Sequence, residues 1–241
     1  MNPATLRETM IAALARRVGG CRHVAVGNAS PVPAAAALLA RAGSGGAMTV
    51  YILGSRANNP YGDGARELFD SAGQGRLDAF FLGGGEIDGQ ANVNLVAVGD
   101  HDAPAMRFPG SFGSAYLYFV VPKVILFREE HSRRVLVPHV SFVSAPGVSP
   151  PGVFRTGGPS ALVTGRCAFA FDRTHGRFIL ETLHPGETME SVHAATGFDF
   201  ECPTPVPATP PPEGDELRLI RAQIAAEVAD AYPLFARKEW R

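Results

Sequence analysis

The sequence predicts an α/β fold, with an open, mostly parallel sheet covered by helices and a second half that is richer in strands. In the first half, short apolar segments rich in Val, Ile and Leu alternate with segments of helical periodicity, which is typical of a parallel sheet covered on both faces. The chain has 241 residues, of which 46% are hydrophobic, and its mean hydropathy is +0.04. It is therefore long and apolar enough for one large domain with a buried core.

The first half is predicted to contain three helices and four strands. Apolar residues at helical spacing predict a first helix that ends before Gly19. The second helix follows a turn and is rich in Ala, with Pro33 in its first turn and Gly43 at its end. A polar loop precedes the third helix. The turn and helix segments span residues 3–18, 28–43 and 65–73, and the predicted strands span 23–27, 48–53, 78–82 and 93–98.

The second half is predicted to be mostly strands, followed by a tail. Residues 203–214 are rich in proline, which predicts an extended linker. The linker would connect a domain at 1–202 to a C-terminal segment at 215–241. That segment begins with a helix at 215–231, which we expect to pack on the body of the protein or on a partner subunit. The other predicted strands span 123–127, 135–143, 161–165, 167–171 and 178–183, and a short helix spans 189–195.

Composition excludes several classes of function. The formal net charge is -1, without a strongly basic or acidic block, which argues against nucleic acid or an anionic membrane surface as the main partner. Cys21, Cys167 and Cys202 are widely spaced, form no CxxC and indicate reduced thiols. The first twenty residues do not resemble a signal peptide, and no apolar run has the length of a membrane span. We therefore expect a cytoplasmic protein.

The histidines do not form a recognisable metal site. There is no HExxH motif, although 129-EEH-131 is suggestive, and the remaining histidines are not spaced as metal ligands. No metal is expected. His184 lies at a predicted strand end before Pro185-Gly186, and we interpret it as part of a structural corner.

Four loops are the candidate functional segments. Ligands of open α/β sheets bind beyond the carboxyl ends of the strands, and three loops leave predicted strands there. A glycine-rich segment lies before a further predicted strand. The four segments are 28-NASP-31, 54-GSRANNPYGDG-64, 83-GGGEIDGQAN-92 and 109-PGSFGSAY-116.

The segment 83–92 combines glycines with two acids. Exposed amides of Gly84 and Gly85 would suit a phosphate or a thioester oxyanion, but a tight turn between strands is the explanation that the glycines alone favour. Glu86 and Asp88 would face the same way on extended backbone, as would Asn92 and Asn94. A close pair of acids can raise one pKa for general acid or base catalysis, whereas the simpler interpretation is one solvated acid and one that caps a turn.

The segment 109–114 has the composition of an anion-binding nest. Amides of Gly110, Ser111 and Gly113 would bind an anion, although a loop ahead of a core strand is an equal alternative. The order Gly-Ser-Phe-Gly is not the GxSxG motif of serine hydrolases, so no nucleophilic serine is predicted here.

Three stretches of the sequence together resemble the β subunits of class I coenzyme A transferases. The run 165-GRCAFAFDRTHGRFILETLHPGETMESVHAATGFDF-200 is similar to the family's C-terminal signature, 83-GGGEIDGQANVN-94 to its GAxQVDxxGNxN segment, and 109-PGSFGSA-115 to its GSGG loop. The tail 215-DELRLIRAQI-224 resembles that of the related steroid ring-opening CoA hydrolases. The resemblance covers about residues 20 to 224 and implies an open α/β sheet, an acyl-CoA substrate and a heteromer with an α subunit.

One departure from the family concerns the nucleophile. In transferases a glutamate after the second strand forms a glutamyl-CoA thioester, and here Ser55 stands at that position, with no acid from Met48 to Pro60. The resemblance therefore implies hydrolysis of a CoA-linked ring, with the catalytic acid on the α subunit. Glu86, where the family usually has Gln, would orient water or substrate, Asn92 would orient the loop, and Ser55 would line the acyl pocket. CoA transfer between carboxylic acids and a non-catalytic scaffold role remain the alternatives.

Overall fold

The computed structural model describes residues 2–240, which form eight helices, one π-helical turn and eleven strands. The strands are β1 His23–Val26, β2 Thr49–Ile52, β3 Ala79–Gly83, β4 Glu86–Ile87, β5 Val93–Asn94, β6 Ala97–Val98, β7 Met106–Arg107, β8 Lys123–Arg128, β9 Pro159–Thr164, β10 Cys167–Asp172 and β11 Arg177–Leu183. The helices are α1 Leu6–Arg17, α2 Pro31–Gly43, α3 Ala65–Gly73, α4 Ser114–Val120, α5 Met189–Ala195, α6 Gly214–Leu219, α7 Ala225–Ala231 and α8 Pro233–Glu239.

Seven of the strands form one mixed sheet in the order β11-β10-β9-β8-β3-β1-β2. β1 pairs in parallel with β2 and β3, and β8 pairs in parallel with β9. The antiparallel pairs β9–β10 and β10–β11 make the second half rich in strands. The predicted fold class, an open and mostly parallel sheet with helices, is confirmed.

The described chain divides into two compact units. The first consists of Met1–Phe81 together with Pro210–Arg241, and the second of Leu82–Thr209. In the first unit, α2 is almost wholly buried along its Ala and Leu residues. In the second unit, aromatic rings pack together near β10 and β11, with Phe169 and Phe178 at a centroid distance of 5.7 Å and Phe178 and Phe198 at 5.4 Å. Burial of these large side chains stabilises each unit through the hydrophobic effect.

The C-terminal helices belong to the first unit. α6 continues through a π-helical turn at Ile220–Ile224 into α7, so the predicted helix is present with a local change of winding. The Arg221 guanidinium donates to both carboxylate oxygens of the buried Glu8 at 2.7 and 2.8 Å. Glu8 also forms a capping box with Thr5, which explains why α1 begins at Leu6. Glu8 therefore connects the start of α1 to the C-terminal helices through Arg221.

Three sequence predictions that involve strands were wrong. Residues 93–98 are not one strand, because the Asn94 side chain accepts hydrogen bonds from Val96 N and Ala97 N and turns the backbone between β5 and β6. Residues 135–143 form no regular strand, since Pro138 removes a backbone donor from the run. The segment 109–116 leads into the helix α4 rather than into a strand.

Candidate functional site

Glu86 is a buried carboxylate at the start of the β4–β5 hairpin, where it pairs with Asn94. It is 4% exposed, and both of its oxygens accept hydrogen bonds. Oε2 accepts from Asn94 Nδ2 at 2.7 Å and from Ser141 N at 2.7 Å, and Oε1 accepts from Ser141 Oγ at 3.0 Å. These three hydrogen-bond donors offset the free-energy cost of burying the carboxylate. They also hold the Glu86 side chain in a fixed position.

Asp88, the second acid of the segment, is also buried and organises the turn that follows it. Its Oδ1 accepts from the amides of Gln90 and Asn92, each at 3.0 Å. Its Oδ2 accepts from Asn92 Nδ2 at 3.0 Å, and Asn92 Oδ1 in turn accepts from Gly147 N at 3.1 Å. Each acid of the hairpin thus has its own asparagine, and the role of Asp88 is that of a turn cap.

The glycines before Glu86 are required mainly by packing. A Cβ atom on Gly85 would lie 2.2 Å from the ring of Phe108, and one on Gly84 would lie 2.7 Å from Val93 Cγ1. The amide of Gly85 donates to Asn94 O at 2.8 Å. Because that amide already has a partner in the hairpin, it is not directed at a ligand.

The loop 109–113 has an unusual backbone. Gly110, Phe112 and Gly113 have φ values of +103°, +42° and +84°, so three of four consecutive residues are left-handed. The amide of Gly110 donates to Leu95 O at 3.0 Å, and Ser111 O accepts from Ser114 N at 2.7 Å. The loop places the Phe112 side chain at the surface, 75% exposed.

Ser55 lies in the other unit, just after β2, and is 6% exposed. Its hydroxyl donates to Asp230 Oδ2 at 2.7 Å and accepts from Asn58 N at 2.9 Å. The same Asp230 oxygen accepts from Arg56 N at 2.7 Å and from Ala57 N at 3.3 Å. A carboxylate from α7 therefore holds the loop that carries Ser55.

The hydrogen bond from Ser55 is the largest cause that lowers the pKa of Asp230, and the amides of Arg56 and Ala57 add to it. A carboxylate with a lowered pKa is a weaker base than an ordinary one. Asp230 is consequently a poor group for removing the Ser55 proton.

Two buried histidines form a separate polar cluster in the second unit. His131 lies 2.8 Å from Thr164 Oγ1 through Nδ1 and 2.9 Å from Thr196 Oγ1 through Nε2. His184 Nε2 donates to Thr164 O at 2.8 Å, and its Nδ1 lies 2.9 Å from Thr209 Oγ1. Hydroxyls and a carbonyl surround both rings, which is the environment of neutral, structural histidines. This agrees with the interpretation of His184 as part of a corner.

Within residues 2–240, no three His, Cys, Asp or Glu side chains are grouped as metal ligands. Over the same residues, none of the helices has both the length and the apolar character that crossing a membrane requires.

Comparison with known proteins decides the family. The family model described as Coenzyme A transferase matches residues 5–195 of the chain. The chain belongs to the coenzyme A transferase family. The match covers most of the chain and confirms the resemblance inferred from its motifs.

Two similar proteins are named as B subunits of enzymes. The chain is 29% identical to the B subunit of the 3-oxoadipate CoA-transferase from Pseudomonas knackmussii, over 95% of this chain and 96% of that protein. It is also 29% identical to the cholesterol ring-cleaving hydrolase IpdB subunit of Rhodococcus jostii, over 65% of this chain and 62% of that protein. Among solved structures, a variant of the decarboxylase AibA/AibB aligns with a TM-score of 0.77 and 28% identity, over 91% of this chain and 95% of that one.

Sequence reasoning missed two partners of the predicted site residues. It placed Asn92 and Asn94 on the face of the acids but gave no reason to select Ser141, which is distant in sequence. The sequence also gave no reason to connect Asp230 with Ser55, because an acid on a predicted amphipathic helix is expected to face solvent. Both contacts join segments far apart in the chain, and no local pattern encodes them.

Replacing Glu86 tests whether its charge or only its hydrogen bonds are needed. Glu86→Ala removes the acceptor of Ser141 N and one acceptor of the buried Asn94 Nδ2, and is expected to lower the free energy of unfolding by about 1–3 kcal/mol. Glu86→Gln is expected to cost less than about 1 kcal/mol, because an amide oxygen accepts from Asn94 and Ser141 N while its NH₂ group donates to Ser141 Oγ. Urea unfolding of both variants measures the difference.

Asp102→Ala is the matched control, since that side chain is 99% exposed. A Gln variant as unstable as the Ala variant would contradict this account of Glu86, and would mean that the charge itself holds the cluster together.

Proposed function

We propose that the chain is the B subunit of a two-subunit enzyme that hydrolyses a CoA-linked ring intermediate instead of transferring CoA. The observation that carries this proposal is the burial and the hydrogen bonding of Ser55. The residue that stands where the family's nucleophilic glutamate is expected is a buried hydroxyl whose proton is directed at Asp230. A hydroxyl at this position cannot form the glutamyl-CoA thioester on which CoA transfer depends.

Ser55 is also a poor nucleophile in its own right. Activation of a serine requires a base with a pKa near the working pH, whereas the pKa of Asp230 is lowered by the donors that surround it. The Ser55 oxygen is further occupied as the acceptor for Asn58 N. We therefore assign Ser55 to the shape of the 54–64 loop.

The names of two relatives support a reaction other than CoA transfer. The IpdB subunit is named for a ring-cleaving hydrolase and AibA/AibB for a decarboxylase, so members of this family carry out reactions that do not move CoA between acids. In the proposed reaction, water adds through its oxygen to a ring carbonyl carbon and the adjacent C–C bond breaks. The carbon that leaves takes up a proton, and the carbonyl carbon becomes a carboxylate.

The second unit would position the substrate. Glu86 is held by Asn94 and Ser141, so we assign it as a positioning residue that keeps the β4–β5 hairpin in place. Gly84, Ser111 and Gly113 contact the acyl-CoA in this proposal, and Asn92 orients the loop through Asp88. The catalytic acid comes from the A subunit.

A second candidate is a scaffold subunit that completes the pocket of its partner without catalytic groups of its own. The complete hydrogen bonding of Glu86 favours it, because the three donors around the carboxylate all belong to the chain itself, as they do for a structural group. Under this alternative the Glu86→Gln complex keeps full activity, as it also does if Glu86 is only a positioning residue.

Label exchange separates hydrolysis from transfer. The complex with its A subunit is incubated with glutaconyl-CoA or 3-oxoadipyl-CoA together with the matching ¹³C-labelled free acid. We expect no ¹³C-labelled acyl-CoA, because exchange requires a nucleophilic carboxylate. Ser55→Ala is expected to change the rate with a hydrolysed substrate by less than about threefold, corresponding to well under 1 kcal/mol.

Labelled acyl-CoA formed by the wild-type complex would establish CoA transfer and overturn the proposal. The relative named as a 3-oxoadipate CoA-transferase makes this the main alternative. A Ser55→Ala complex that keeps the wild-type stability but loses all activity would instead give Ser55 a catalytic role.

A further inference from the structure

The first unit contains an open cleft of about 550 Å³ at the end of the sheet where β1 and β3 begin. Arg22 and His23 line it at the start of β1, and Arg76 and Asp78 line it between α3 and β3. Tyr51 of β2 and Tyr61 of the following loop also line it. The volume is within the range of about 300–1,000 Å³ that small-molecule sites have in proteins.

Three flat rings form a ladder along this cleft. The His23 and Tyr51 rings have a centroid distance of 6.0 Å, and the Tyr51 and Tyr61 rings are nearly parallel at 5.1 Å. The hydroxyl of Tyr51 lies 3.0 Å from His23 Nδ1, which fixes the two rings relative to each other. A rigid stack of this kind offers a flat surface to a planar ligand.

The cleft favours an anion. Arg22 and Arg76 line it, and across residues 2–240 neither guanidinium makes an ion pair with a carboxylate. The acid in the lining, Asp78, is directed at the backbone, where its Oδ2 accepts from Arg22 N at 2.7 Å and His23 N at 2.8 Å. Paired guanidiniums are the groups that best bind carboxylates and phosphates.

The tyrosines add hydrogen-bond donors. Burial raises the pKa of Tyr51 and of Tyr61, so both phenols keep their protons at neutral pH. The Tyr61 hydroxyl is shielded from solvent and has no hydrogen bond of standard geometry among the described residues, although Ser71 is near enough to lower its pKa.

We propose that this cleft binds a planar organic anion, a flat ring that carries a carboxylate or a phosphate group. The ring stacks on the Tyr51–Tyr61 wall, and the anionic group is held by Arg22 and Arg76. Tyr61 belongs to the loop that also carries Ser55, so a bound ligand contacts that loop at a point away from the serine. The proposal does not depend on which reaction the enzyme catalyses.

Calorimetric titration of the full chain with four probes tests this proposal. Adenosine 5′-monophosphate and benzoate each have a ring and an anionic group, inorganic phosphate has no ring, and adenosine has no charge. We expect at least one of the first two to bind with Kd below about 1 mM, and phosphate and adenosine to bind about tenfold more weakly or not at all. Tighter binding of adenosine 5′-monophosphate would identify phosphate as the anionic group, and tighter binding of benzoate would identify carboxylate.

The variant Arg22→Gln/Arg76→Gln is expected to weaken that binding at least about tenfold, because both exposed side chains meet the anion. Arg66→Gln is the matched control, since Arg66 lies on α3 but pairs with Asp63 outside the cleft. Equal binding by the double variant and the wild type, or a Kd of about 1 mM or more for both adenosine 5′-monophosphate and benzoate, would overturn the proposal.

Discussion

Gly147→Ala is expected to destabilise the protein by more than about 3 kcal/mol, or to prevent it from folding, because no space exists for a methyl group. A Cβ atom at this position would lie 2.1 Å from Gln90 O and 2.7 Å from the carbonyl group of Ala91. These are backbone atoms, and Ala91 O is itself held by the Tyr118 hydroxyl at 2.8 Å. The clash therefore displaces the turn between Asp88 and Asn92.

The effect is measured by urea unfolding and by the yield of folded protein. Gly43→Ala is the matched control: Gly43 ends α2, has open space around it and has no positive φ, so the substitution is expected to change stability by less than about 1 kcal/mol in either direction. If Gly147→Ala unfolds at the same urea concentration as the wild type, the packing described around residues 88–92 is wrong.

Lowering the pH from about 6.5 to about 4 is expected to remove about 3 kcal/mol of stability through His131 alone. Burial, with a smaller effect from the Arg166 charge and His184, lowers the pKa of His131 to about 4 from its ordinary value of 6.5. The unfolded chain binds a proton at this histidine below pH 6.5, whereas the folded chain does not until about pH 4. Unfolding therefore takes up a proton in this window, and stability falls as the pH falls.

His131→Gln isolates this contribution, since an amide also bonds to Thr164 and Thr196. Urea unfolding at pH 7 and pH 4.5 is expected to show a smaller loss of stability in this variant than in the wild type. His139→Gln, at an exposed histidine, is the control. An unchanged pH dependence in His131→Gln would contradict the buried, neutral state of the ring.

Local patterns were sufficient to predict most of the fold. Apolar alternation and glycine or proline signals located the strands of the main sheet and the helices at 65–73 and 189–195, which the structure has at Ala65–Gly73 and Met189–Ala195. The strand predictions failed where a side-chain hydrogen bond or a proline interrupts the pairing of strands. Asn94 turns the chain after β5, and Pro138 interrupts an apolar run that otherwise reads as a strand.

The candidate site was predictable only in its local parts. The asparagines were expected on the face of the acids, and the contact between Asn92 and Asp88 has been found. The contacts of Ser55 with Asp230 and of Glu86 with Ser141 depend on how distant segments fold back, which periodicity and motif spacing do not describe. These two contacts changed the interpretation most, because they account for a serine and a glutamate that the sequence left as possible catalytic groups.

The covalent state of this chain during turnover distinguishes hydrolysis from CoA transfer most directly. The complex is reduced with borohydride while it converts an acyl-CoA, and the intact mass and peptide map of the chain are then measured. Hydrolysis without a thioester on this chain predicts an unmodified mass, including at Asp230 and Glu86. A reduced or CoA-bearing carboxylate at either residue, or at any other acid of the chain, would contradict the proposed function.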